Sequence, residues 1–230
     1  MMKKMIAMVL CAALCLSLAF GAAAQGTNEY TVGSIVTYGT YEQDNDPDNG
    51  QEPIEWIVLD VDGTNAFLIS KYCLDAHAFH TAKVAMTWEK CELRTWLNTT
   101  FMDTAFTAQE QAKILQTEVV NDNNPDYGTF GGKDTVDQIY LLSFDELYKY
   151  FPEQDSRSAY PTAYAIANGA FVNPDSGYTY WWLRTPGVRR VDVCGVSANG
   201  VLSGYGSRDV NRTSGTVRPV MWVDFSVSVY

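Results

Sequence analysis

From Thr31 onward the chain alternates apolar and polar positions with a period of two. The runs "TVGSIVTYGTYEQ", "PIEWIVLDV" and, after an Asp-Gly pair, "NAFLISKYCLD" are rich in β-branched and aromatic residues. Alternation sends successive side chains to opposite faces of a strand. The three runs predict antiparallel strands joined by hairpins. The period then becomes helical. In "TWEKCELRTWLNTTF" the spacing puts Trp88, Cys91, Trp96 and Leu97 on one helix face. Two capping boxes follow, Thr107 with Glu110 and Ser143 with Glu146, each marking a helix start. "QIYLL" before the second reads as a short strand.

Between those two helix starts lies "NDNNPDYGTFGGKD", a polar, glycine-rich stretch long enough to be a surface excursion or a working loop. The last third alternates again. "YTYWWLRT" predicts a strand, with Trp181 and Trp182 pointing to opposite faces. "RRVDVCGVSANGVLSGYG" predicts two strands around Asn199-Gly200. "TVRPVMWVDF" predicts a closing strand in which Pro219 marks an edge or a bulge. Strand-rich, helical, then strand-rich again is an α+β order.

The N-terminus departs from this pattern. "MMKK" precedes the uncharged apolar run "MIAMVLCAALCLSLAF", and Ala22 and Ala24 stand in an A-x-A arrangement. Residues 1–24 read as a signal peptide cut after Ala24, and residues 25–230 as a single domain. The expected location is outside the cell, secreted or at the cell surface. The formal charge is −11, and a surface so acidic excludes nucleic acid as a partner and gives anionic lipid no electrostatic hold. No membrane association is expected once the signal is removed.

Candidate chemistry is sparse. Cys73, Cys91 and Cys194 remain after cleavage, and His77 and His80 are the only histidines. Cys73 and Cys91 form a pair, or all three are small buried hydrophobes. Neither spacing suits zinc. Nucleophile-elbow, P-loop and dinucleotide fingerprints are absent. "DNDPDNG" alternates Asp44, Asp46 and Asp48, with Glu55 further on, but its glycine comes one position late for a calcium loop. No cofactor is expected. Calcium remains an alternative, without assigned ligands.

The strings "PIEWIVLDV", "LISKYCLD", "W..C.LR.WLN..F", "D.IYLLS..E", "YWWLRTPG" and "VRPVMWV" occur in that order. In this the chain resembles a family of secreted bacterial domains, itself similar to the C-type-lectin-like fold of formylglycine-generating-enzyme type. The resemblance spans roughly Thr31 to Phe225. It implies that the Trp-rich strand and the VRP strand lie in a central sheet, so Arg184 and Arg218 are structural and need carboxylate or carbonyl partners. The copper-binding cysteine pair of the formylglycine-generating enzyme has no match here, because Cys194 is alone in the last third.

The resemblance also implies a target-binding surface between Gly187 and Thr216, variable in relatives of the fold. Its composition suits an adaptable face of small polar groups around an aromatic anchor. The candidate contacts are Arg189, Arg190, Asp192, Ser203, Tyr205, Ser207, Arg208, Asn211 and Arg212. Tyr205, flanked by Gly204 and Gly206, is either an exposed anchor or a core plug. The expected function is a binding module for an extracellular protein or glycan. An enzyme of unknown reaction on the same fold, or a structural cell-surface accessory domain, is the alternative.

Overall fold

The computed structural model describes residues 30–226, and the side chains of residues 203–207 lie outside the description. The signal-peptide reading therefore falls outside the described residues. No helix among the described residues is long and apolar enough to cross a membrane.

The architecture is mixed α+β, mostly antiparallel sheet with short helices. One sheet has the order β1-β2-β3-β11, built from Ile35–Tyr41, Glu52–Asp62, Asn65–Ser70 and Val220–Asp224. The second has the order β4-β10-β7-β8-β9, built from Asp75–Ala76, Thr216–Val217, Trp181–Pro186, Asp192–Val196 and Leu202–Asp209. Within this second sheet only the β10–β7 pairing is parallel. A two-stranded ribbon pairs β5 (Thr117–Val119) with β6 (Thr135–Asp137).

The three N-terminal strands form where alternation placed them. Asp62 pairs with Asn65, so the β2–β3 turn is Gly63-Thr64, one residue later than Asp-Gly, with Gly63 at φ 59°. The closing strand corrects the expectation. It is two strands in two sheets, with Arg218-Pro219 carrying the chain from β10 across to β11. Proline has no N–H to donate, so this position suits a gap between ladders. Ser70, at the end of β3, bridges the crossing. Its N–H donates to the Pro219 carbonyl at 3.0 Å, and its own carbonyl accepts from Arg218 Nε at 3.0 Å.

The middle also departs from one continuous helix. Trp88–Lys90 is a separate turn of 3₁₀ helix, and Cys91 caps α1 (Glu92–Trp96). A π turn over Leu97–Phe101 leads into α2 (Met102–Ala105). Trp88 thus reaches the core from outside the helix. What holds this region is Asp137, which accepts from Trp88 Nε1 at 3.0 Å and from Arg94 Nε at 2.6 Å. Asn98 then clamps the chain beside it: its Oδ1 accepts from the N–H groups of Gln138 and Ile139. The two sequence strings "W..C.LR.WLN" and "D.IYLL" are therefore one hydrogen-bonded unit. "QIYLL" pairs with the closing strand only at the Tyr140–Val220 bridge.

Both capping boxes form, at α3 (Ala108–Gln111) and α4 (Phe144–Tyr150). A last helix, α5, spans Ala163–Ala167. Cys73, Cys91 and Cys194 are buried and form no disulfide, so the disulfide alternative falls away. Every residue of β7 is buried, because the sheet is covered on both faces. Trp181 Nε1 donates to the Arg157 carbonyl at 3.0 Å and Trp182 Nε1 to the His77 carbonyl at 2.8 Å. Neither tryptophan is available to a ligand.

Candidate binding site

The segment between Gly187 and Thr216 includes the β8–β9 hairpin, which turns over Ser197–Val201 with Gly200 at φ 72°. The candidate contacts divide by position. Arg189 and Arg190 are exposed in the turn before β8, and Arg212 is exposed in the loop before β10. Asp192 does not belong to that outer surface. It is 1% exposed and takes a two-pronged contact from Arg189, Nε to Oδ2 at 2.6 Å and Nη2 to Oδ1 at 2.8 Å. The reason is geometric: Asp192 starts β8, between the turn and the covered sheet. The Asp192 hydrogen bonds hold the Arg189 guanidinium more firmly charged than usual.

Arg208 is half-buried, with its guanidinium carbon 5.0 Å from the centre of the Tyr180 ring. It packs across the sheet rather than standing free of it. Arg212 Nε donates to Ser214 Oγ at 2.8 Å, and burial followed by repulsion from Arg208 lowers its pKa. Asn211 is half-exposed. The side chains of Ser203, Tyr205 and Ser207 lie outside the described residues.

A second polar segment joins this surface. The stretch 121–134, between α3 and α4, is the loop of the β5–β6 ribbon, and it is pinned to the turn after β7. Asn124 is buried, and its Nδ2 donates to the Pro186 carbonyl at 2.8 Å. Thr129 Oγ1 donates to the Val188 carbonyl at 3.0 Å. Asn123 Oδ1 accepts from the Gly131 N–H. The loop leaves Tyr127 and Phe130 in solvent among the exposed polar residues Asp122, Asn123, Asp126, Lys133 and Asp134, with Phe130 53% exposed. Nothing in the alternation pattern marks these two aromatics, because a loop has no period.

A cleft of about 620 Å³ opens beside β4, an edge strand of the second sheet. Asp75 forms its floor and is buried. Its Oδ2 accepts from Tyr41 Oη at 2.7 Å, and its Oδ1 accepts from Asn168 Nδ2 at 2.8 Å and the Ala76 N–H at 2.7 Å. Burial and then the Asp75 charge push the Tyr41 phenol well above its ordinary range, so it stays a donor. Trp96 stands on one wall with the His77 ring packed against it, centroids 4.4 Å apart, and Tyr164 stands on another. Sequence reasoning missed this cleft. Its parts come from β1, β4, α1, α5 and the loop before β10, and no local signal links them.

Glu42, Asp44 and Glu52 bring carboxylate oxygens within 4.8 Å of one another. Glu55 instead pairs with Lys71 at 2.8 Å. Loop N–H groups already fill the near side: Glu52 Oε2 accepts from Gln43 and Asp44, and Glu42 Oε1 from Asn45 and Asp46.

These features define a mixed α+β domain with an exposed turn-and-loop surface after β7 and a cleft beside β4. The chain belongs to the DUF6273 family, a domain of unknown function, whose model matches residues 63–225. That span begins at the β2–β3 turn and takes in the second sheet, the 121–134 loop and all of the cleft except Tyr41, Glu42 and Gln51. Comparison with curated proteins yields no match. Comparison with solved structures yields none.

Proposed function

We propose that this chain is a secreted extracellular binding module on a C-type-lectin-like scaffold of formylglycine-generating-enzyme type. The face made by the turn 187–192 and the pinned loop 121–134 takes a protein partner. The observation that carries this reading is a rigid backbone with large side chains left outside. Asn124 and Thr129 anchor the loop to Pro186 and Val188, while Tyr127, Phe130, Val188 and Arg190 remain in solvent. Aromatic residues and arginine are the types enriched at interface hot spots, and an immobilised loop lowers the ordering cost of binding. Exposed aromatic side chains on a turn-and-loop surface fit another protein better than a small molecule, which needs concavity. The acidic, signal-led sequence supports export and no nucleic-acid or membrane partner.

The test is a binding screen of residues 25–230 against arrayed extracellular proteins and glycans, followed by titration of the best partner with two variants. Phe130→Ala and Arg190→Ala should each weaken binding by about 2 kcal/mol, roughly thirtyfold, with unchanged melting temperature. Full affinity in both variants would sink the assignment of this face. A screen with no binder at all would favour a structural accessory domain.

A further inference from the structure

We infer that the cleft over Asp75 is a saccharide-binding site for an uncharged sugar, separate from the partner face. Its size, about 620 Å³, lies inside the ~300–1,000 Å³ range of small-molecule sites. Its chemistry is that of a ligand with an apolar ring face and a hydroxyl edge. Trp96 supplies an apolar wall, its ring packed against His77 with centroids 4.4 Å apart and against Phe101 with centroids 5.4 Å apart. It is held by His77, whose N–H donates to the Gly215 carbonyl at 2.9 Å and whose carbonyl accepts from Trp182 Nε1. The platform is therefore fixed before any ligand arrives. A pyranose presents axial C–H groups to such a wall and directs its hydroxyls sideways.

The sideways groups are present. Asp75 is a preset acceptor, held by Tyr41, Asn168 and the Ala76 N–H, and a carboxylate with three donors retains a further acceptor position. Asn168 supplies an amide at the same point, and a single amide and carboxylate side by side can serve two adjacent hydroxyls. Thr100, Thr104 and Thr213 add hydroxyls around the rim, each able to donate or accept. A buried carboxylate with no cation against it is costly unless its hydrogen bonds are complete, and no lysine, arginine or histidine forms an ion pair with Asp75 among the described residues.

Charge decides the class of sugar. The carboxylates lining the cleft are Glu42 and Asp75, and neither lysine nor arginine lines it among the described residues. Asp44 and Glu52 stand close to Glu42 at the mouth. An anionic sugar would meet only like charge. The Asp75 carboxylate is already shared among three donors, so it offers a hydroxyl an acceptor position and an ammonium no undivided countercharge.

The experiment is calorimetric titration of residues 25–230 with neutral cello-, manno- and galacto-oligosaccharides, with oligogalacturonate as the acidic probe and chitosan oligosaccharides as the amine probe. At least one neutral oligosaccharide should bind, and oligogalacturonate should not. Asn168→Ala, at an exposed position, and Trp96→Ala should each weaken neutral binding at least tenfold, while Phe130→Ala leaves it unchanged. Melting curves identify any variant that has lost its fold, and Thr213→Val on the rim then takes the place of Trp96→Ala. No binding to any neutral oligosaccharide at millimolar concentration would overturn the inference. So would a preference for the acidic or amine probe, or binding indifferent to Asn168 and the wall. Loss of partner binding in Phe130→Ala with intact saccharide binding separates this site from the partner face.

Discussion

Arg184 in β7 reaches the capping box of α4: its Nη1 contacts Glu146 Oε2, the same oxygen that accepts the Ser143 N–H at the helix start. One carboxylate thus closes a helix and neutralises a buried strand cation. Arg184 is 5% exposed, and it also donates to the carbonyls of Leu141 at 2.8 Å and Val120 at 2.9 Å. These three partners sit on separate segments, so the side chain works as a junction.

Arg184→Ala should therefore lower stability by about 3 kcal/mol, since it strands two carbonyls and a carboxylate that is only partly wet. Arg218→Ala should destabilise as well. Arg218 is buried, donates to Ser70, and lies 5.1 Å from the Trp181 ring centre. Burial pushes its pKa down to about 10, which leaves it charged at neutral pH. Thermal melts decide, and wild-type melting of both variants would refute the junction.

Asn124 is the buried anchor of the 121–134 loop. Asn124 donates to Pro186, and its Oδ1 accepts from the N–H groups of Asp126 at 2.9 Å and Tyr127 at 3.1 Å. Asn124→Ala leaves these groups without their buried partner, at about 1–3 kcal/mol. Hydrogen exchange should quicken over 121–134 and stay unchanged in β2 and β3. Uniform quickening would mean that the loop is part of the cooperative core instead.

The thiols give an alkaline signature. Burial pushes Cys73 up to about 11 and Cys91 and Cys194 up to about 12, from 9.0. A group whose pKa rises on folding keeps its proton in the native state after the unfolded chain has lost it. Its stabilising contribution is whole below about pH 9 and declines as pH climbs towards 11–12. Melting temperature should fall over that window, less steeply in Cys91→Ala. At neutral pH a thiol-specific alkylating reagent should label none of the three in the folded protein and all three in denaturant. Rapid labelling under native conditions would contradict their burial.

Gly215 is required for space. A Cβ there would lie 2.1 Å from Trp182 Cε2. Gly215→Ala should cost about 1–3 kcal/mol by overpacking and shift the near-ultraviolet tryptophan signal. Wild-type stability would show that the Trp182 ring can move aside.

Local devices were legible from the residues alone. The two capping boxes, the β1–β3 strands and the Asn199-Gly200 turn each depend on groups a few positions apart, and neighbouring chain atoms meet whatever the rest of the molecule does. The buried arginines were legible too, because an apolar strand around a guanidinium leaves it nowhere to go but inward. Their partners were not: Arg184 meets Glu146 from 38 residues away, and Arg218 meets Ser70 from 148. The split of "TVRPVMWVDF" between two sheets, the withdrawal of Asp192 under Arg189 and the exposure of Phe130 follow from which surfaces the sheets cover. The cleft shows this most plainly. Asp75 and Asn168 are 93 residues apart and Asp75 and Tyr41 are 34 apart, so their hydrogen bonds exist only once the second sheet and α5 have packed. A pattern of alternation records which way a side chain points along its own strand, and packing alone assigns what it will face.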